Sequence, residues 1–354
     1  MSGTSLDGID AALTDLSRSP VLINTAFTAF DDTRRKDLLA LHTPGKNELQ
    51  RAARLANQLT YSYAEIVNQL LDQVAVLPSE IRAIGCHGQT IRHSPQDGYS
   101  IQLVNGSLLA ELTGITVISD FRNRDIAAGG QGAPLVPAFH QAVFSHPHIH
   151  RLIINIGGIA NITSLPPEGE VTGFDCGPGN MLMDAWCHLH TGMTYDHHGN
   201  WARSGNLIPH LLEKLLASPY LSLPPPKSTG RELFHLDWLT THLSSNARPE
   251  DVQATLLSFT VETIKRAITS WYPRAGELYL CGGGAHNAAL IMTLHEIMPH
   301  HKIKLTDELG IPADWVEACA FAWLAQQTIN GSPGNLPAVT GAMGTRILGA
   351  IHQA

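Results

Sequence analysis

The chain has 354 residues, 44% of them hydrophobic, and a formal net charge of −8 at pH 7. That length and apolar content suit two ordinary globular domains, and the acidic balance argues against a nucleic-acid surface, so anions must be bound locally by backbone N–H groups and a few placed arginines. Five scattered cysteines form no C-x-x-C pair or disulfide framework, while the lack of a long apolar segment or a signal-peptide pattern makes the cytoplasm the default compartment and a membrane partner unexpected.

In chain order, the first feature is the decapeptide MSGTSLDGID at residues 1–10. Gly3 and Gly8 let the backbone come close to an anion, and Thr4 and Ser5 add hydroxyl donors. Asp7 and Asp10 are hard oxygen ligands suited to the Mg²⁺ that travels with ATP, with Asp7 the candidate for a contact through water. Leu6 and Ile9 complete the loop backbone, and from Ile9 the pattern turns apolar, as a loop feeding a strand would. The same residue types also build ordinary hairpin turns.

An amphipathic helix is predicted over Glu48–Val74, then a strand at 81–86 that ends in His87-Gly88-Gln89-Thr90. Short strands are predicted near 100–104 and 115–119, and a proline-started helix over 134–144. His146-Pro147-His148 reads as a domain joint. Beyond it, the β-branched runs of 151–165 flank Gly157-Gly158, the pattern of a hairpin with a glycine tip. Helices are predicted near 179–190, 206–216, 251–271 and 313–329, with a loop at Pro224-Pro225-Pro226. The strand 278–281 runs into Gly282, Gly283 and Gly284 and then a helix, a junction where a ring or phosphate can lie on bare backbone. Alternating strands and helices give an α/β class.

Asp175 follows the predicted strand 171–174 and precedes a Gly-Pro-Gly turn, so its carboxylate is expected at a strand end, where α/β folds place site residues. As a helix N-cap it would stand slightly too far from the helix near Gly179. Two other chemistries fail on pattern. Gly45-Lys46-Asn47 and Lys227-Ser228 lack the surroundings of a P-loop lysine, and His295-Glu296 is followed by His300 one residue too late for a zinc-protease motif.

One glycine hairpin near the start, another near the middle and a late Gly-Gly-Gly junction resemble the acetate and sugar kinase, heat-shock chaperone and actin superfamily. Within it the chain resembles the anhydro-N-acetylmuramic acid kinase family over nearly its whole length. The likeness is carried by GTSLDG (3–8), GCHGQT (85–90), DFRNRDIAAGGQGAPLVPAFH (120–140), NIGGIAN (155–161), GFDCGPGNMLMDAW (173–186), PKSTGRE (226–232), CGGG (281–284) and AVTGA (338–342).

The resemblance implies a two-domain, actin-like ATPase fold of ribonuclease H-like halves, with the active site in an interdomain cleft. The domains are expected at 1–148 and 149–354, with the final helix packing back on the first as an option. It implies ATP and Mg²⁺, and a small amino-sugar substrate whose 1,6-anhydro bridge is opened by water while O6 receives the γ-phosphoryl group. The products are N-acetylmuramic acid 6-phosphate and ADP, in peptidoglycan recycling. Asp175 matches the family's general base. The glycines at 157–158 and 282–284 match the phosphate and adenosine contacts.

On the sugar side, Arg122, Arg124 and Asp125 offer fork-shaped donors and a carboxylate for the lactyl carboxylate and hydroxyls. Asn123 stands where the family often has a third arginine. Glu317 resembles an acidic residue near the sugar, and His87 and Gln89 are further lining candidates. The Lys227–Arg231 motif is recognisable but has no assigned role. A homodimer is also expected.

Two alternatives stay open at this point: a kinase for another sugar or carboxylate, and a nucleotide-switched scaffold of the actin or chaperone kind. A final expectation concerns the start. In the family a short apolar strand precedes the phosphate loop, whereas here Met1 is followed at once by the loop, so the natural chain is expected to begin upstream.

Overall fold

The computed structural model describes every residue except Thr4, Ser5, Ser19, Arg231, Glu232 and Ser245. The chain divides into two compact units, Met1–Val143 with Trp315–Ala354, and Phe144–Asp314. The boundary therefore falls a few residues before the expected joint at 148, and the whole stretch from Trp315 belongs to the first unit instead of a final helix alone.

In the first unit, β1 (Gly8–Asp15) pairs antiparallel with β2 (Val21–Ala29), Gly8 opposite Ala29. The helix Glu48–Val74 has the predicted bounds and buries Leu55, Leu59, Tyr63, Ile66 and Leu70. That spacing of three and four residues forms one continuous apolar face. Leu6, Ile9, Leu38, Leu41 and Leu103 join the same core.

β3 is only Ile84–Gly85, shorter than the predicted 81–86, and runs parallel to β6 (Val117–Ser119). Between them in sequence, β4 (Gln89–Ser94) and β5 (Tyr99–Leu103) form a hairpin. The last strand, Ala350–His352, closes antiparallel on β6, and the helix Val316–Ile329 brings Phe321, Leu324 and Ala325 against Ile118, Phe121 and Leu348. Burial of these side chains is why the C-terminal stretch joins this unit. Gly85 is required here because a Cβ would press into the Phe321 carbonyl oxygen. A cavity of ≈ 660 Å³ lies inside the unit, lined by Met1, β1, β3 and residues of the two long helices.

The second unit is built on one five-stranded sheet: β7 (Arg151–Ile156), β8 (Ile159–Leu165), β9 (Thr172–Pro178), β10 (Glu277–Cys281) and β11 (Lys302–Leu305). The spatial order is β11-β10-β7-β8-β9, with β7, β10 and β11 mutually parallel and β8 antiparallel to both neighbours. A mixed α/β unit of this kind agrees with the fold class that the resemblance implies. The long helix Pro249–Trp271 buries Val252, Leu256, Phe259, Val261 and Ile264 within this unit.

β9 differs from expectation in a way that matters: the strand continues through Asp175 to Pro178, so Asp175 lies inside it. Ala160 pairs with Gly177 but Asn161 pairs with Asp175, leaving Cys176 as an extra residue. Such a β-bulge bends the strand locally and re-aims adjacent side chains.

Candidate active site

In the first unit, the loop before β1 is held by Gln89, which is fully buried and donates from Nε2 to the Gly3 carbonyl at 3.0 Å. The Leu6 N–H closes a turn on the same carbonyl at 3.4 Å. Thr4 and Ser5, expected as phosphate donors, lie outside the described residues. The side chains of Leu6 and Ile9 are buried in the apolar core, so these two residues anchor the loop and could meet a ligand through their backbone alone. Leu6 adopts φ 58°, an unusual conformation for a non-glycine residue that its buried side chain helps to hold.

Gly8 also serves the fold. A Cβ there would press into the Thr28 carbonyl and the Phe27 ring. Asp7 is exposed, and its carbonyl accepts the Phe30 N–H at 2.9 Å. Asp10 exchanges backbone hydrogen bonds with Met1, 2.7 Å from the Met1 amino group and 2.8 Å to the Met1 carbonyl. Burial pushes the Met1 amino group's pKa down, against the opposing influence of Cys86, Asp10 and Glu317. Among the described residues no group of three or more His, Cys, Asp or Glu side chains is placed to hold a metal. Mg²⁺ needs fewer, because it keeps several waters and takes one or two carboxylates plus phosphates.

A second cluster in this unit is centred on Arg122. Its Nε and Nη2 reach His87 Nε2 at 3.2 and 2.8 Å, and its Nη1 donates to the Gly132 carbonyl at 2.8 Å. His87 Nδ1 lies 2.7 Å from the Gly88 carbonyl, so the network assigns the proton to Nδ1 and leaves Nε2 as acceptor. Burial, reinforced by the Arg122 charge, holds the His87 pKa well below the usual histidine range. Burial also brings Arg122 down to about 10, while Glu317 and Asp125 pull the other way. Glu317 is half-buried near this charge, and Arg124 is exposed.

Asp125 has a different place from the one expected. It is fully buried, its Oδ2 accepts the Gly132 N–H, and its Oδ1 accepts from Asn335 Nδ2 at 2.7 Å and Thr340 Oγ1 at 2.8 Å. It clasps the loop after Arg124 to the C-terminal stretch and leaves no side-chain surface for a sugar. Asn123, in the arginine position, is spent on the backbone of Ser100 and on Asp120.

In the second unit, the tip of the β7–β8 hairpin is open. A Cβ on Gly157 would find nothing nearer than the Ile159 oxygen at 3.6 Å, and one on Gly158 nothing nearer than Met181 Cβ at 3.8 Å. Asn180, not singled out from the sequence, braces the tip: its N–H donates to the Gly157 carbonyl at 2.8 Å and its Nδ2 to the Ile156 carbonyl at 3.0 Å. The 282–284 junction packs on the end of β7. Gly282 has φ +79°, and side chains at Gly282 or Gly284 would collide with Asn155 and Ile156. Only Gly283 is open, with Asn180 Nδ2 at 3.9 Å. Bare backbone at two neighbouring turns is the surface an anionic or flat ligand requires.

Asp175 is half-buried at the bulge, and its Oδ2 accepts the Thr229 N–H at 3.0 Å. Its own N–H donates to the Lys227 carbonyl at 3.1 Å, and Tyr220 donates from its hydroxyl to the Asp175 carbonyl at 2.7 Å. Sequence reasoning missed Thr229, Lys227 and Tyr220 as neighbours of Asp175. The only signal was the unexplained PKSTGRE motif.

The anhydro-N-acetylmuramic acid kinase family model matches residues 1–354. The chain belongs to that family. An anhydro-N-acetylmuramic acid kinase of Nitrosomonas europaea is 64% identical over 100% of this chain and 98% of its own. Family members of Nitrosospira multiformis and Thiobacillus denitrificans are 59% and 57% identical, each over 100% of this chain and over 98% and 96% of their own lengths. Among the described residues no helix is long and apolar enough to cross a membrane.

Proposed function

We propose that the chain opens 1,6-anhydro-N-acetylmuramic acid with water and phosphorylates O6, with Asp175 as general base. Membership of the family makes the protein a kinase acting on a small amino sugar in cell-wall recycling, and ATP is its phosphoryl donor. The observation that carries the residue assignment is Asp175 at a β-bulge, gripped at its N–H, carbonyl and carboxylate, in the same unit as the open glycine tip at 157–158.

In this reading Asp175 takes a proton from water as the water oxygen bonds to the anomeric carbon. The C1–O6 bond breaks, and its electron pair goes to O6. O6 then bonds to the γ-phosphorus, and the bond from that phosphorus to ADP breaks. A carboxylate activating water opposite a leaving oxygen is the logic of glycoside hydrolysis, with a phosphoryl group in place of the acid's proton.

The N–H groups of the 157–158 tip would bind phosphate, and the backbone at Gly283 the nucleoside. The backbone of the first loop adds donors, with Asp7 contacting Mg²⁺ through water. Mg²⁺ supplies charge neutralisation on the phosphates. Arg124, exposed, and Arg122, with three of its N–H donors already used, would hold the lactyl carboxylate beside Glu317, while His87 and Gln89, both buried, would act from behind by holding Arg122 and the first loop in place. A cytoplasmic site of action and a homodimer belong to the same proposal.

Turnover in ¹⁸O-enriched water tests it. One ¹⁸O should enter the sugar at C1 with none in the phosphate, read by mass spectrometry before ring-opening exchange. Phosphorylated product without sugar label would exclude water as the attacking group.

A further inference from the structure

The segment 220–229 wraps Asp175 from three sides. Tyr220 holds its carbonyl, Lys227 its N–H and Thr229 its carboxylate. The wrap is itself anchored. Lys227 Nζ donates to the carbonyls of Tyr220 and Leu221, both at 3.1 Å, and sits 4.8 Å from the Tyr220 ring centre and 5.6 Å from that of Phe174. Two carbonyls and two ring faces make a cage for an ammonium group. Burial, the larger influence, lowers the Lys227 pKa, and the nearby Asp175 carboxylate opposes it.

Thr229 carries one feature that the clasp leaves unused. Its Oγ1 is buried and, among the described residues, has no hydrogen-bond partner. A buried hydroxyl without a partner is costly, so such groups normally meet water or ligand. Covalent geometry keeps Oγ1 within about 4 Å of its own amide nitrogen, which is the atom bonded to Asp175.

We propose that Thr229 is a positioning residue for the reaction: its N–H aims the Asp175 carboxylate, and its hydroxyl hydrogen-bonds the water that Asp175 deprotonates. This rests on the assignment of Asp175 as base. Two fixed contacts orient the water's lone pair toward the anomeric carbon, where one contact alone would leave it free to rotate. The gain is orientational and belongs to kcat.

Thr229→Val keeps the shape and the N–H but removes the hydroxyl, and Thr229→Ser restores it. Thr229→Val should lower kcat by about ten- to a hundredfold, with KM for ATP and sugar little changed and the melting temperature near wild type. Thr229→Ser should recover most of the rate. In an Asp175→Asn background, single-turnover rates should be no slower for the double variant than for Asp175→Asn alone. Full turnover in Thr229→Val beside a crippled Asp175→Asn would overturn the proposal and leave the base in place. Equal loss in the Val and Ser variants, or simple multiplication of the two defects, would also overturn it. An active Asp175→Asn would remove the base assignment and this inference together.

Discussion

Arg122 donates to Nε2 of His87 from Nη2 at 2.8 Å, and that contact fixes the protonation state of a histidine that composition alone would have left as a pH switch. A guanidinium facing an imidazole nitrogen cannot coexist with a proton on it. His87 is therefore a neutral spacer that holds Arg122 in place.

Two other histidines share this behaviour. Burial lowers His140 to about 3 and His93 to about 4, the latter with help from the Arg122 charge. In the unfolded chain each would titrate near 6.5, so on acidification the unfolded state binds protons that the folded state refuses. Stability is thus full above about pH 6.5 and falls as the pH drops from there toward the folded values. Denaturant unfolding between pH 7.5 and 5 should show this decline. His140→Leu should flatten it by about 1.4 kcal/mol per pH unit below about pH 6, and an unchanged slope would contradict a neutral buried His140.

Asp125→Ala tests the clasp. The Gly132 N–H, Asn335 and Thr340 would lose their acceptor inside the core, a loss of about 3 kcal/mol. A lowered melting temperature is expected, with KM for the sugar close to wild type in the folded fraction. A large rise in KM at unchanged stability would return Asp125 to the sugar site.

Gly157 separates ligand space from fold space. Because its Cβ position is open, Gly157→Val should fold normally, yet calorimetry should show ATP binding weakened by tenfold or more and sugar binding nearly unaffected. Gly179→Val is the contrasting case, since its side chain would be driven into the Gly157 carbonyl; there the melting temperature should fall first. Unaltered ATP affinity in Gly157→Val would take this tip out of the nucleotide site.

For Asp175→Asn the expected outcome is near-normal binding of both substrates with turnover down by about two to four orders of magnitude. The amide keeps the size of the carboxylate and cannot accept the proton. Retention of more than about a tenth of the rate would be too much for loss of a general base.

The sequence by itself determined the elements whose pattern is local and the motifs that name the family. The apolar period of Glu48–Val74 marks both ends of that helix, and the β-branched runs around Gly157-Gly158 mark the hairpin. Both are legible because they follow from side-chain spacing along a single element. The bulge at Cys176 is not, because it depends on which residue of β8 stands opposite. Tertiary structure also separated residues that read alike in the sequence. Arg122 and Asp125 are three apart, but one faces His87 and the other is closed inside a clasp formed with Asn335 and Thr340. Gly8 and Gly157 share a motif type, but only Gly157 has space above it. Thr229 meets Asp175 across 54 residues of chain. Burial and long-range hydrogen-bond partners are set by which surfaces pack together, and residue spacing carries no record of them.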